Sequence, residues 1–480
     1  MHLLDFPLEV FQNVIHELVL DVGIAEAWRA YRPVCKTFAA EIYHDTFARQ
    51  PMTSFENVDV EDFINGSEDN LRLLLLNRVN NALDAHCFLP ERVRNTVTLL
   101  IQSQGEEDAN GYLRAVYIEK LCAALAFRFK RRGCWGNIWP HGPDLTWILR
   151  NGMDYEKCVS TGHRGAFLLH RALFGPLNDV LGERIDAAAA TNDPALFRTF
   201  LSQLANSRGW RDESLYEHPL QTSARFGYHK IIDELVNFER LSPAQAPTWF
   251  ITWQWIDSAI CTAIEFSQPE AITSLSKFYE LPGRTVRSLS YSAWVLKAMK
   301  LKNDSALDSV LSINVGSRLR LTKQVFDQIC KRGETELIDR VIRKGIVKTN
   351  RPYPQKDTDH GRRICPLVVA IQSGNPNMVS AVLAEADADG ACKDLPRAIS
   401  PLNYAISTYN FDIVKMLLEK GATISCKCDY GFCSLQLALA IEDKTIYDIL
   451  RKALAKQGEV FPTYASARKS KGGFVLCFSP

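Results

Sequence analysis

No run of this 480-residue chain is apolar over the roughly 18–20 residues that a membrane-spanning helix needs. The densest stretch, Leu73-Leu74-Leu75-Leu76, is bracketed by Arg72 and Arg78 and reads as part of a buried helix. The opening, Met1-His2-Leu3-Leu4-Asp5, has neither a basic start nor a long apolar core, so no secretory leader is expected. Net charge is also nearly missing: 56 Lys and Arg stand against 55 Asp and Glu, which leaves +1. No overall field would draw the chain to nucleic acid or to an anionic membrane, and neither is expected as a partner. The 13 cysteines include no Cys-x-x-Cys pair, which suits reduced thiols used as small core residues in the cytoplasm or nucleus. Their tightest group is Cys426, Cys428 and Cys433, and no histidine follows His360 to complete a zinc site. Phosphate-binding glycine loops, Gly-x-Ser-x-Gly, His-Glu-x-x-His and dinucleotide fingerprints are all missing. No catalytic residue, metal or cofactor is expected.

What the chain does have is repetition. Eight short stretches share one template, at spacings of 31, 33, 35, 35, 35, 40 and 41 residues in ascending order. In the clearest, Ser400 can cap a helix and Pro401 fills its first position, where a missing N–H costs nothing. Leu402 and Ala405 share one face, a turn follows near Tyr409-Asn410, and Ile413, Val414, Leu417 and Leu418 recur at helical spacing up to Gly421. Cys365-Pro366-Leu367 and Cys433-Ser434-Leu435 open similar units, and His218-Pro219-Leu220 opens one upstream. Weaker copies are anchored on Ala188, Ala263, Ala298 and Ile329. The segment 346–363, with Pro352, Pro354 and Gly361, interrupts the spacing and is expected to be an exposed loop.

These residues resemble the ankyrin repeat, with its Thr-Pro-Leu-His-x-Ala opening and Leu-Leu-x-x-Gly-Ala ending. Asn403, Val368, Gln436 and Gln221 replace the histidine. The resemblance covers about residues 181–457 and implies a stack of helix pairs that binds protein. It also implies a concave binding strip, which maps here onto Val369, Gln372, Ser373, Tyr404, Ser407, Thr408 and Leu437. Tyr404 is the expected anchor, because aromatic residues dominate such patches.

The N-terminus carries a second pattern. Pro7 opens a helix, Glu9 complements its dipole, and Val10, Phe11, Val14, Ile15 and Leu18 make an apolar face broader than a lone surface helix needs. Val34-Cys35-Lys36-Thr37-Phe38 follows. This resembles an F-box, although Phe6 stands where leucine is usual and the stretch from Leu18 to Val34 is longer than typical. The resemblance implies docking to the Skp-type linker of a cullin ubiquitin ligase, through Phe6, Pro7, Val10, Ile15, Leu18 and Val34.

The expected fold is all-α: an N-terminal F-box-like helical bundle followed by an ankyrin-type α-solenoid. The expected divisions are 1–50, a helical linker region or degenerate repeats over 51–180, the array of about eight units over 181–457 and a tail over 458–480. Two functions fit this plan. One is a substrate-recognition adaptor of an SCF ubiquitin ligase, with an unidentified target protein held by the array. The other is a scaffold or inhibitor whose N-terminal helices only cap the repeats.

Overall fold

The computed structural model describes residues 6–105, 108, 111–130, 145–152, 180–204, 216–241, 251–315, 319–353, 364–390, 400–424, 434–456 and 463–469. Among the described residues the regular structure is helical, with no strand. The chain forms two compact units, Met1–Phe278 and Tyr279–Pro480.

The first unit opens with α1 (Leu8–Val22), which buries Phe11, Ile15 and Val19 against α3 (Lys36–Ala48). Gly23 breaks α1, and α2 (Ile24–Glu26) runs into a π turn over Ala27–Tyr31. The segment between Leu18 and Val34 is thus a break followed by a wide turn. Trp28 in that turn lies 4.5 Å from the Phe63 ring of α4 (Val58–Asn65) and donates to Thr46 Oγ1 at 3.1 Å. The fully buried Asp45 accepts from His16, 2.8 Å away on α1, and from Gln50. Arg78 of α5 (Glu68–Asn80) is also fully buried, and its guanidinium donates to the carbonyls of Phe47 and Gln50 at the end of α3. Desolvation lowers its pKa, and the charge of Asp84 opposes that.

A hairpin of α6 (Phe88–Gln104) and α7 (Tyr112–Lys130) follows, then α8 (Leu145–Asn151). Helix pairs come next: α9 (Val180–Thr191) with α10 (Pro194–Leu204), α11 (Pro219–Phe226) with α12 (His229–Leu241), and α13 (Trp253–Glu265) with α14 (Pro269–Ser276). The expected linker region is, in its described part, a packed element of this unit. Arg92 of α6 pairs with Glu183 of α9, Lys120 of α7 donates to Thr191 O at 2.6 Å, and Arg128 donates to Tyr216 O. Arg225 of α11 lies 3.6 Å over the Phe266 ring and 4.8 Å over Phe127, and bonds Glu68.

The second unit continues the pairing: α15 (Ser288–Lys300) with α16 (Asp304–Ser312), α17 (Lys323–Arg332) with α18 (Thr335–Arg343), and α19 (Pro366–Gln372) with α20 (Pro376–Leu383). Then come α21 (Pro401–Ser407) with α22 (Phe411–Glu419), α23 (Ser434–Ala440) with α24 (Lys444–Lys456), and a short α25 (Tyr464–Lys469). Within each unit, first helices pack on first helices and second on second.

One turn joins every pair. Its residue has positive φ: Asn192, Gly227, Ser267, Lys302, Gly333, Gly374, Tyr409 and Glu442. Each stands four residues after a buried anchor: Ala188, Ser223, Ala263, Ala298, Ile329, Ala370, Ala405 or Ala438. In six of them the next N–H returns to the anchor's carbonyl, as Asn410 does to Ala405 O at 3.3 Å and Asp443 to Ala438 O at 3.1 Å. This six-to-one bond satisfies a carbonyl left over at the helix end. The same next residue usually caps the second helix, as when Asn303 accepts from the Ala306 N–H at 3.0 Å.

Five of these turn residues carry a side chain in a conformation that costs about 1–2 kcal/mol without glycine. Lys302 and Tyr409 are exposed, so neither side chain offsets that cost by burial. Lys302→Gly and Tyr409→Gly should each stabilise the second unit by about 0.5–1 kcal/mol, once the greater freedom of unfolded glycine is subtracted. Urea midpoints would show it, and a lower midpoint in both variants would count against this reading of the turn.

Two of the residues in the family's histidine position reach the next pair. Asn403 Oδ1 accepts from Ser434 Oγ at 2.7 Å, and Gln221 Oε1 accepts from Thr262 Oγ1 at 2.9 Å. The expected exposed loop over 346–363 needs correction in its described part. Ile346, Val347 and Tyr353 are buried, and Ile346 O accepts the Leu321 N–H, because this stretch first closes the pair before leaving it. Cys426, Cys428 and Cys433 lie outside the described residues. Cys122, Cys330 and Cys365 are buried, and desolvation pushes the Cys330 thiol up to about 12, which leaves it protonated and inert.

Candidate protein-binding surfaces

Helix α1 has two apolar stripes. Phe11, Ile15 and Val19 recur every four residues and face inward. Phe6, Val10 and Val14 form the neighbouring stripe and stay exposed, together with Leu8 at 61% and Val34 at 60%. Phe11 meets Phe38 of α3 edge-on, with ring centroids 5.4 Å apart, which fixes α3 against the inner stripe.

Of the six residues expected to dock a linker, Phe6, Pro7, Val10 and Val34 are exposed and Leu18 is half-buried. Ile15 is corrected: it is 0% exposed and belongs to the core, because it lies on the inner stripe with Phe11 and Val19. Leu8 and Val14 take its place on the outer surface. Spacing alone carries a signal for Val14, four residues from Val10, whereas nothing in the local pattern marks Leu8. An exposed apolar cluster of this kind marks an interaction site more often than an isolated leucine does.

The expected strip on the array is partly corrected too. Val369 is 0% exposed, because α19 is enclosed along its whole length from Pro366 to Ile371. Gln372, Ser373, Tyr404 and Leu437 are half-buried, and Ser407 and Thr408 are exposed. The hydroxyls of Ser373, Ser407 and Thr408 donate to carbonyls of their own helices, to Ala370 at 2.6 Å, Tyr404 at 2.8 Å and Ala405 at 3.0 Å. They keep only acceptor capacity for a partner. Two exposed aromatic residues escaped the sequence reading: Tyr409, 54% exposed at the tip of the turn, and Phe411 at the start of α22. Its place four residues after the Ala405 anchor was the signal available for Tyr409, since every non-glycine residue of that turn is exposed.

No group of three or more His, Cys, Asp and Glu able to hold a metal occurs among the described residues. None of the described helices is long and apolar enough to cross a membrane.

Residues 327–428 match the family model for ankyrin repeats, in 3 copies. No curated protein matches the chain. Among solved structures, the crystal structure of the human ASB11 ankyrin repeat domain is similar at 18% identity, over 52% of this chain and 100% of that one, with a TM-score of 0.31. The segment from within α17 to just past α22 therefore holds ankyrin repeats, and such repeats imply a role in protein–protein interaction.

Proposed function

We propose that this chain, whose residues 327–428 carry ankyrin repeats, is a substrate-recognition adaptor of an SCF-type ubiquitin ligase. In this reading the turn geometry extends the repeat to all eight helix pairs. The N-terminal helices dock to the Skp-type linker, and the array presents a target protein through Gln372, Ser373, Tyr404, Ser407, Thr408 and Leu437, joined by Tyr409. The observation that carries the ligase half is the exposed stripe of Phe6, Leu8, Val10, Val14 and Val34 beside a fully formed inner stripe. A helix that only capped the array would have no use for the second stripe.

The scaffold reading draws on Arg78, which ties the end of α3 to α5 and gives the N-terminal helices a structural duty of their own. The two readings part on one measurement. A Val10→Asp, Val34→Asp double variant changes only exposed positions, so its melting temperature should match the parent. It should lose co-purification with the Skp-type linker by at least about tenfold, the size expected when a charge is buried at an apolar contact. If the parent chain never retains the linker, the adaptor reading fails and the scaffold reading stands.

A further inference from the structure

Charge is unevenly placed along this nearly neutral chain. Residues 279–353 hold 15 Lys and Arg against 7 Asp and Glu, while the rest holds 41 against 48. The acids in this stretch mostly answer cations on the helices: Asp304 and Glu334 hold Arg332, Asp308 holds Arg340, and Asp327 holds Lys331.

The connections between pairs are rich in cations as well. Three successive ones bring Arg284 and Arg287, then Arg320 and Lys323, then Lys348 and Arg351. No Asp or Glu occurs over 281–303, 309–326 or 340–356, though Glu280 lies ahead of the first pair of cations and Asp357 and Asp359 follow the third in sequence. The connections lie side by side. The Arg320 N–H donates to Ser288 Oγ at 3.2 Å, the Thr322 N–H to Ser292 Oγ at 3.1 Å, and the Leu321 N–H to Ile346 O at 3.0 Å. All six cations reach solvent at least in part, and Leu289, 72% exposed, stands two residues from Arg287. The strip has an end. The next connection carries Glu385, Asp387 and Asp389, and it abuts the third, through Thr349 Oγ1 on Glu385 O at 3.0 Å and the Asp387 N–H on Asn350 Oδ1 at 2.8 Å.

We propose that this strip binds an extended acidic protein segment whose carboxylates recur about every third residue. Packed helices sit about 8–10 Å apart, and the connections inherit that step. An extended chain rises about 3.3 Å per residue, so one step is about three residues. Three cation pairs then read three carboxylates, and Leu289 receives an apolar side chain at one end. A nucleic acid fits less well. Single strands need aromatic platforms, and no side chain of the strip is aromatic. This inference rests on the array being a target-binding surface, and it names the chemistry of the target.

The test uses the full chain and fluorescence anisotropy. The probe is a labelled nine-residue peptide with aspartate at every third position and one leucine. Its comparators are the same composition with the aspartates contiguous, and an oligothymidylate strand. The spaced peptide should bind best and weaken as salt rises. The triple variant R287E, R320E, K348E should lose it by roughly tenfold or more, while K415E, K452E, placed elsewhere on the array, should not. If the triple variant melts below the parent, Arg320→Gln with Lys348→Gln replaces it, with a loss of severalfold expected. Equal binding of both peptides, tighter binding of the oligothymidylate, or a triple variant that binds like the parent would each overturn the proposal. Linker co-purification is measured on the same samples. Loss of the linker with retained peptide binding would sink the ligase reading alone, and the reverse would sink this one alone.

Discussion

Arg78→Met should lower the unfolding free energy of the first unit by about 2–4 kcal/mol, seen as a lower urea midpoint with an unchanged slope. The guanidinium donates to two carbonyls at the end of α3, and both Phe47 and Gln50 are buried where water cannot replace it. Each abandoned carbonyl costs about 1–3 kcal/mol. Methionine fills the volume and spares the cost of burying a charge, which is why the sum stays below the full penalty. Arg78→Lys should fall between, because a single ammonium lacks the fork that reaches both oxygens. Trp28, beside Phe63 and hydrogen-bonded to Thr46, reports on the same region by its fluorescence. A methionine variant as stable as the parent would mean that the carbonyls find other donors, and that Arg78 contributes little.

The second large effect is expected from ending the chain at residue 430. This removes α23, α24 and α25, and with them the neighbours of α21 and α22. Leu402, Ile406 and Leu417 are fully buried in the intact chain. At about 1.5–3 kcal/mol for each such side chain, wetting all three costs roughly 5–9 kcal/mol. Asn403 also loses Ser434. The shortened chain should melt well below the parent and elute as aggregate on size exclusion, because a repeat array is held by its neighbour contacts. A monomer with the parent's melting temperature would show that α21 and α22 stand without the last helix pair.

Much of this was legible in the sequence, for a physical reason. A stacked helix pair needs a small or apolar anchor, a turn four residues later and an apolar stripe after it, and each requirement falls on local residues such as Ala405, Tyr409 and Leu417. Even the weak anchors Ala188, Ala263 and Ala298 precede the same turn. Ankyrin repeats over 327–428 agree with the family resemblance read there. What local pattern could not tell was which side of a helix faces in. Val10 and Ile15 are both apolar on α1, and only the side on which α3 packs, where Phe38 meets Phe11, decides between them. Val369 failed similarly, since its helix is covered from more than one direction. Arg78 looked like an ordinary bracket to a leucine run. Its role depends on carbonyls about 30 residues away, which no local window contains.

The turns also bear on heredity. Gln268, in front of α14, reaches back to Gly227, where an added Cβ would collide with its Oε1. Asn375 likewise faces Gly333, and Asn410 donates to Gly374 O at 3.5 Å. An amide in one pair thus answers a bare turn in the pair before it. Where the turn carries a lysine or a tyrosine, the following pair supplies Glu334 or Asp443 in that place instead, and among the occupied turns only the small Ser267 is followed by an amide, Asn303. The pairs are therefore not interchangeable beads. Duplicating the Ser267, Lys302 or Tyr409 pair would set an amide against an occupied turn, whereas duplicating the Gly374 pair would not. A lineage could lengthen this array most easily by copying a turn together with the pair that reads it, and the order of its members is itself a constrained trait.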